Sequence, residues 1–425
     1  MPSNRFPDSP KVVLQSLFDA AIQAAQPAKC LPRHLPEPPK GKTVVIGFGK
    51  GAAAMAKVVE ENWQGPLEGV VVTRYGFSAP CQRIQVLEAG HPVPNQAGID
   101  ATRTILEAVS NLSADDLVIC LVSGGGSSLL VQPPEGITLE EKQALTNMLL
   151  ASGAPIGKIN TVRRHLSRVK GGRLAEACWP ARLVSLIISD VPGDDLTGIA
   201  SGPTVPDTTS NNDALAVLSR YGITPPHAVA TYLSKQEAAP PSSTAPCFTN
   251  TKNILIATAM TALRSAATLA DVKGYSETIL GDAIEGEARD VAREQARMAL
   301  KIADDQSDHQ RPCLLISGGE TTVTLKGKGR GGPNTEFALA LAIALNGHPG
   351  IYAMACDTDG IDGSENNAGA FIAPDTLKRA KDLGLDAQSY LDNNDSYGFF
   401  EKLNDLIVTG PTQTNVNDFR AIFIV

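Results

Sequence analysis

Residues 116–130 read DLVICLVSGGGSSLL. The run Leu117–Val122 is apolar throughout, with no alternation of polar and apolar positions. Such a run fits a strand covered on both faces, as in a parallel sheet flanked by helices. It leads directly into three glycines and two serines. Glycine tolerates φ > 0 and lets backbone approach another group closely. A loop with so few side chains of its own to pack is expected to receive a ligand. Bare N–H groups suit an anion such as phosphate.

The same alternation of apolar run and helical segment extends along the chain. TVVIGFG (43–49) precedes the helix-like GAAAMAKVVEENW, GVVVT (69–73) follows, and LVSLIISDVPGDD (183–195) comes after VRRHLSRVKGGRLAEA. A doubly wound α/β domain is therefore expected over residues 1–240. SKQEAAPPSSTAPCFTN (234–250) reads as a linker. A second, smaller α/β domain is expected over 251–425. Its runs are NILIATA (253–259), CLLISGGETTVTL (313–325) and GIYAMACDTDGIDG (350–363), with two closing strands in DLIVTGPTQTNVNDFRAIFIV. That domain is expected to have a mixed sheet.

Composition narrows the function classes. The 425 residues are 43% hydrophobic and 19% charged, with net charge −8. A nucleic-acid-binding surface is not expected from that balance, and no apolar run approaches the ~20 residues of a membrane span. The opening MPSNRFPDSP lacks the apolar core of a signal peptide. The seven cysteines include no CxxC pair and read as reduced thiols of a cytosolic protein. The six histidines never fall at HxxH or HxxxH spacing, which argues against zinc.

The strand ends concentrate the chemistry. They read GFGKG (47–51), SGGGSS (123–128), SDVPGDD (189–195), SGGET (317–321) and DTDGIDG (357–363). Three offer glycine-rich backbone for phosphate and two offer carboxylates for Mg²⁺. Ligands of open α/β sheets bind beyond the carboxyl ends of the strands. The combination favours phosphoryl transfer. GFGKGA also matches the dinucleotide fingerprint G-x-G-x-x-A. The next strand, however, ends in Thr73-Arg74 rather than in an acidic ribose partner, which leaves an NADP reading open through Arg74. Lys50 within the loop is better placed to neutralise an anion.

Other features read more blandly. Arg163, Arg164, Arg168 and Lys170 lie off the apolar stripe Val162–Leu166–Val169 and are expected on a solvated basic face, although Lys-Gly-Gly-Arg interrupts the helix. His91 in GHPVPNQAG is expected in a rigid turn. Asp190 ends an apolar run, whereas Asp194, Asp195, Asp357 and Asp359 lie in looser loops. The shared Ser-Gly-Gly of SGGGSS and SGGET suggests two backbone loops serving one ligand.

VIGFGKGAAAMA, GHPVPNQAG, LVSGGGSSLL, VRRHLSRVKGGRLA, SDVPGDDLTGIASGPTVPD, SGGETTVTL, DTDGIDG and GPTQTNVNDF, in this order, resemble the class II glycerate kinase (MOFRL) family. The likeness runs from about residue 10 to the end. It implies a Rossmann-like N-terminal domain, a smaller C-terminal α/β domain, and an active site in the cleft. It also implies an ATP- and Mg²⁺-dependent kinase that converts D-glycerate to 2-phosphoglycerate. By resemblance, Lys50 and Asp190 are catalytic and Asp190 binds metal. Ser123, Gly124, Gly125, Gly126, Ser127 and Ser128 form the phosphate loop. The family's basic loop commonly reads Gly-Gly-Arg-Asn-Gln-Glu. Here RGGPNTE places Pro333 and Thr335 in it, so the anion-binding role passes to Arg330. Some relatives are labelled hydroxypyruvate reductase, so an NAD(P)-dependent reductase is the alternative, and a non-catalytic metabolite-binding module is a third reading. Monomer and homodimer both remain open.

Overall fold

The computed structural model describes residues 8–235, 238–305 and 312–425. Most of the opening segment read for a signal peptide, and two residues of the expected linker, lie outside these. The chain divides into two units, Pro27–Ile256 and the combination of Met1–Gln26 with Ala257–Val425.

The first unit is built on β1 (Thr43–Phe48), β2 (Glu68–Arg74), β3 (Ile84–Ala89), β4 (Leu117–Val122), β5 (Arg182–Ile188) and β6 (Thr251–Ala257). They lie in the order β3-β2-β1-β4-β5-β6. Every pairing from β3 to β5 is parallel. This is the doubly wound arrangement expected. Every residue of β1 and β4 is buried, as their unbroken apolar sequences require. Val44, Ile46, Phe48, Val118, Cys120, Val122 and Leu129 share one core. Phe48 pairs with Val122 in register, so β1 and β4 end at the same level. The chain winds outward through β2 and β3 on one side of β1 and resumes with β4 on the other. The loops after β1 and β4 therefore flank the switch point of the sheet, where such folds bind ligands.

The second unit carries β7 (Ser276–Glu287), β8 (Cys313–Thr322), β9 (Ile351–Asp357), β10 (Gly369–Ile372), β11 (Leu406–Ile407) and β12 (Asp418–Ile424). Their order is β11-β10-β9-β12-β8-β7. β8 and β7 are parallel and the other pairings are antiparallel, so the sheet is mixed, as expected. The helix Pro333–Leu345 is buried on nearly all sides, with Phe337, Leu339 and Leu341 packed among Leu315, Phe399, Phe400 and Ile422.

The domain boundaries differ from 1–240 and 251–425. The helix Pro10–Ala25 belongs with the second sheet. Phe18 packs on Phe419, Ser265 Oγ donates to the Ala20 carbonyl at 3.1 Å, and Thr414 Oγ1 donates to the Ala25 carbonyl at 2.7 Å. Its apolar side chains Val13, Leu14 and Leu17 are fully buried, and an amphipathic helix must settle wherever its stripe finds cover. β6 is the edge of the first sheet, not the opening of the second, so residues 234–250 lie within the first unit.

The basic segment also departs from expectation. The helix Ile156–His165 ends at Leu166, and Gly171 and Gly172, at φ 57° and 84°, turn the chain. Arg164 is buried and its Nε donates to Asp207 at 2.6 Å. Lys170 is 1% exposed. The turn at Lys170-Gly171-Gly172 folds Lys170 inward and covers Arg164, which remains on the helix.

Nearby, Lys142 is buried on the helix Leu139–Ala151, and its Nζ donates to the Leu166 carbonyl at 2.6 Å. Burial, helped by the positive charge of Arg163, holds its pKa down to about 7. The unfolded chain keeps the ordinary lysine value of about 10.4. Between these two values the unfolded state binds more protons, so this residue's penalty on folding is full below about pH 7 and fades as pH rises toward 10.4. Lys142→Met should therefore raise the melting temperature relative to wild type more at pH 6 than at pH 9. An equal change at both, followed by circular dichroism, would contradict the buried ammonium.

Candidate active site

The loop after β1 and the loop after β4 are clasped together. Lys50 N donates to the Gly124 carbonyl at 2.8 Å, Ser123 N to the Phe48 carbonyl at 3.2 Å, and Gly51 N to Ser123 Oγ at 2.9 Å. Gly49 sits at φ 125°, and a Cβ there would run into Ser123. Only glycine permits that approach. Thr73 Oγ1, at the end of β2, donates to the Lys50 carbonyl at 3.1 Å. Backbone bonds on both sides thus fix the base of Lys50, and its side chain lies at the mouth of the paired loops, partly exposed.

Gly125 has φ 78°, and a Cβ there would lie 2.8 Å from the His91 ring and 3.4 Å from Lys50 Cγ. The loop is therefore backed by His91 and Lys50. His91 does occupy a turn, as expected, but the turn leans on the glycine loop. Among the described residues, no protein acceptor meets the N–H of Gly125 or Gly126. These are the groups an anion would use. The helix that follows is one turn, Gly126–Leu129, too short to lend much of a dipole. The loop's N–H groups, not a helix end, are its anion-binding feature.

The loop's serines divide into two kinds. Ser123 is 1% exposed with its hydroxyl taken by Gly51, and Ser128 Oγ donates to the Gly125 carbonyl at 3.1 Å. Both hold the loop. Ser127 is only partly buried, and its hydroxyl lies 2.9 Å from Ser201 Oγ. Ser201 and Ala200 have φ 63° and 50°, a left-handed backbone that costs on the order of 1 kcal/mol for a residue other than glycine. Such strain is concentrated at functional sites.

Asp190 follows β5, the strand beside β4, after Ser189 and before the turn Pro192–Asp194. Val122 pairs with Ile187, so Asp190 stands at the strand end neighbouring the glycine loop. Asp195 accepts from Thr197 N at 2.9 Å and Oγ1 at 2.7 Å, a local turn closure. The first unit therefore carries Lys50, Ser123–Ser128 and Asp190 on loops at neighbouring strand ends.

The second unit holds the remaining sequence candidates. SGGET is not a loop. Ser317-Gly318-Gly319-Glu320-Thr321 lies inside β8, and a Cβ on Gly319, at φ 123°, would collide with the Ile284 backbone on β7. Its glycines serve close strand approach, so the apparent repeat of SGGGSS is not a second phosphate loop. The carboxylates of DTDGIDG mostly fasten backbone. Asp357 accepts from Asp359 N and Asp359 from Ile361 N, each at 2.8 Å. Asp362 accepts from Asn334 N at 2.9 Å and from Thr335 N and Oγ1 at 2.8 Å, capping the buried helix. Burial pushes its pKa up to about 6, against those hydrogen bonds, with Asp418 adding to the rise. Thr335, a departure from the family's commoner glutamine, is thus part of a cap.

Arg330 lies in the loop before that helix. Its guanidinium is half exposed, 3.3 Å from Glu365, 3.2 Å from Glu401, and stacked on Tyr397 at 4.6 Å. A ligand carboxylate would have to exchange with one of these acids. Among the described residues no group of three His, Cys, Asp or Glu side chains could hold a metal. Asp190 beside the glycine loop fits a Mg²⁺ that takes most of its ligands from phosphate and water.

Sequence reasoning missed Lys170 and Ser201, which stand directly behind the loop. Lys170 Nζ donates to the carbonyls of Ser127 at 2.9 Å and Ala200 at 3.4 Å. The one available signal was the two glycines following Lys170 in a basic helical segment.

Comparison with known proteins shows the family. Residues 13–234 match DUF4147, a domain of unknown function, and residues 313–418 match the MOFRL family. An Agrobacterium vitis protein provisionally named hydroxypyruvate reductase is 50% identical, over 98% of this chain and 95% of its own. D-glycerate 2-kinase of Thermotoga maritima is 42% identical over 99% of both chains. The crystal structure of glycerate kinase from Thermotoga maritima superposes with a TM-score of 0.89 at 41% identity, covering 99% of this chain and 100% of the other.

Proposed function

We infer the workings of the site from one premise, that this chain belongs to the glycerate kinase family, composed of a DUF4147 region and a MOFRL region. It is an ATP-dependent glycerate 2-kinase. The γ-phosphoryl group of ATP passes to the 2-hydroxyl of D-glycerate, giving 2-phosphoglycerate and ADP. The observation that carries the mechanism is the pair of clasped loops at the switch point, with a fixed lysine at their mouth.

Phosphoryl transfer has little covalent work for a protein, so catalysis rests on positioning and charge neutralisation. The N–H groups of Gly125 and Gly126 receive nucleotide phosphate oxygens, and Ser127 adds a hydroxyl. Ser123 and Ser128 keep the loop in shape. Lys50 meets the transferring phosphoryl group. When Mg²⁺ accompanies the nucleotide it neutralises phosphate charge, and Asp190 is the carboxylate that would hold it. Arg330 anchors the glycerate carboxylate, which a guanidinium can grip with two parallel hydrogen bonds.

The reductase name borne by some relatives finds less support in these residues. A nicotinamide dinucleotide calls for a small residue in the first glycine loop, and NAD, unlike NADP, for an acidic group at the end of β2. Lys50 and Arg74 occupy those places, and Thr73 is engaged with the Lys50 carbonyl.

A coupled assay of ADP release, run beside a nicotinamide absorbance assay, tests the reading. Lys50→Ala should lower kcat by roughly 10²–10³, the scale of one preorganised charge at a developing anion. Near-normal turnover would remove Lys50 from the reaction. Asp190→Asn should raise the Mg²⁺ concentration needed for half-maximal rate and leave the melting temperature nearly unchanged. An unaltered Mg²⁺ titration would dismiss the metal role. Arg330→Lys should raise KM for D-glycerate well above any change in KM for ATP. Equal shifts in both would reject Arg330 as the carboxylate anchor.

A further inference from the structure

Lys170 is one of the largest side chains fully enclosed in the protein. A buried ammonium normally has a carboxylate partner. Here its hydrogen-bond acceptors are two neutral carbonyls, Ser127 and Ala200. The charged groups that bear on it, Arg163 and Lys142, are cations. Asp207, which packs against Gly171, is taken by Arg164 at 2.6 Å.

The surroundings of this ammonium are tightly specified. Gly171 N donates to the Ser201 carbonyl at 3.1 Å, and Gly172 N to the Gly202 carbonyl at 2.8 Å. The turn that carries Lys170 therefore grips the left-handed turn Ala200–Gly202 along its backbone. That turn presses on the glycine loop in its own right, since a Cβ on Gly126 would lie 2.9 Å from Ala200 Cβ. Ser201 Oγ meets Ser127 Oγ. Lys170 bonds both turns at once and stands directly behind the residue that follows the free N–H groups of the loop.

We propose that Lys170 is a positioning residue for nucleotide binding, fixing the Gly125–Ser128 loop against the Ala200–Gly202 turn and placing a buried amine beneath the phosphate-binding backbone, where bound phosphate favours its protonated form. The proposal rests on the reading that this loop receives the phosphates of ATP. With no acid beside it among the described residues, the protonated form is disfavoured in the empty protein. Burial, with the charges of Arg163 and Lys142, holds its pKa well below the ordinary lysine range. A phosphate on the loop supplies the missing negative charge and favours the protonated amine, so attraction between the two adds to affinity in the complex. A carboxylate partner would have removed that coupling.

The test combines calorimetric titration with ADP, steady-state kinetics, and hydrogen exchange of the wild-type enzyme with and without ADP. Lys170→Met should fold with an equal or higher melting temperature, weaken ADP binding tenfold or more, and raise KM for ATP in proportion while KM for D-glycerate stays within about twofold. Purely structural damage would move both KM values together, and that outcome, or wild-type ADP affinity, overturns the proposal. Should the methionine variant fail to fold, Lys170→Gln keeps a donor for the two carbonyls without the charge and is judged by the same criteria. Hydrogen exchange separates the two levels of inference. If ADP protects residues 123–129 in the wild type while the variants bind ADP normally, Lys170 alone is misassigned. If ADP leaves that segment unprotected, the nucleotide reading of the loop fails, and the role of Lys170 with it.

Discussion

The in-register pairing of β1 with β4 is the constraint on which the site depends. Phe48 opposite Val122 ends the two strands level with each other, so two glycine loops emerge side by side at the switch point. Once there, they have few ways to coexist. Gly49 must lack a side chain because Ser123 fills the space, and the Lys50 and Gly51 N–H groups turn to Gly124 and Ser123. A one-residue slip between these strands would reverse the buried faces and separate the loops. The register of β1 against β4 therefore specifies the position of Lys50 as firmly as any contact Lys50 makes itself.

A second theme is charge placed in the interior near this framework. Arg164 has its acid in Asp207, an arrangement that offsets the cost of burial. Among the described residues, Lys142 and Lys170 are given only carbonyls. The difference separates pairs that stabilise the fold from cations whose burial opposes it. In the other unit the buried arginine has its acid. Asp418 holds Arg420 and accepts from Asn334 Nδ2 at 2.6 Å, and Asp362 caps the helix that begins at Pro333.

Much of the first unit was legible because its signals are local. Unbroken apolar runs such as Leu117–Val122 permit little besides a doubly covered strand, and glycines at strand ends mark the loops. Placement over long sequence distances was not legible. The helix Pro10–Ala25 has an evident apolar stripe, yet nothing in it says which sheet will cover it. β7 went unread because Ser276–Glu287 is mostly polar and only partly buried, with irregular pairing at Gly281. SGGET resembles SGGGSS in letters, but a glycine needed for close strand packing looks the same in sequence as one needed for phosphate. The same holds for basic residues. Lys170 and Arg168 stand two apart in one segment, and only the turn made by two glycines sends the first inward and leaves the second exposed.

The central claim is that nucleotide phosphate binds at the β1–β4 switch point. The most direct measurement is a crystal structure of the enzyme with Mg²⁺ and ADP. Phosphate oxygens should lie within hydrogen-bond distance of the Gly125 and Gly126 N–H groups, about 2.7–3.2 Å from nitrogen to oxygen, with the Lys50 ammonium directed to the terminal phosphate. Nucleotide phosphates bound away from residues 123–128, with those N–H groups facing only solvent, would contradict the account.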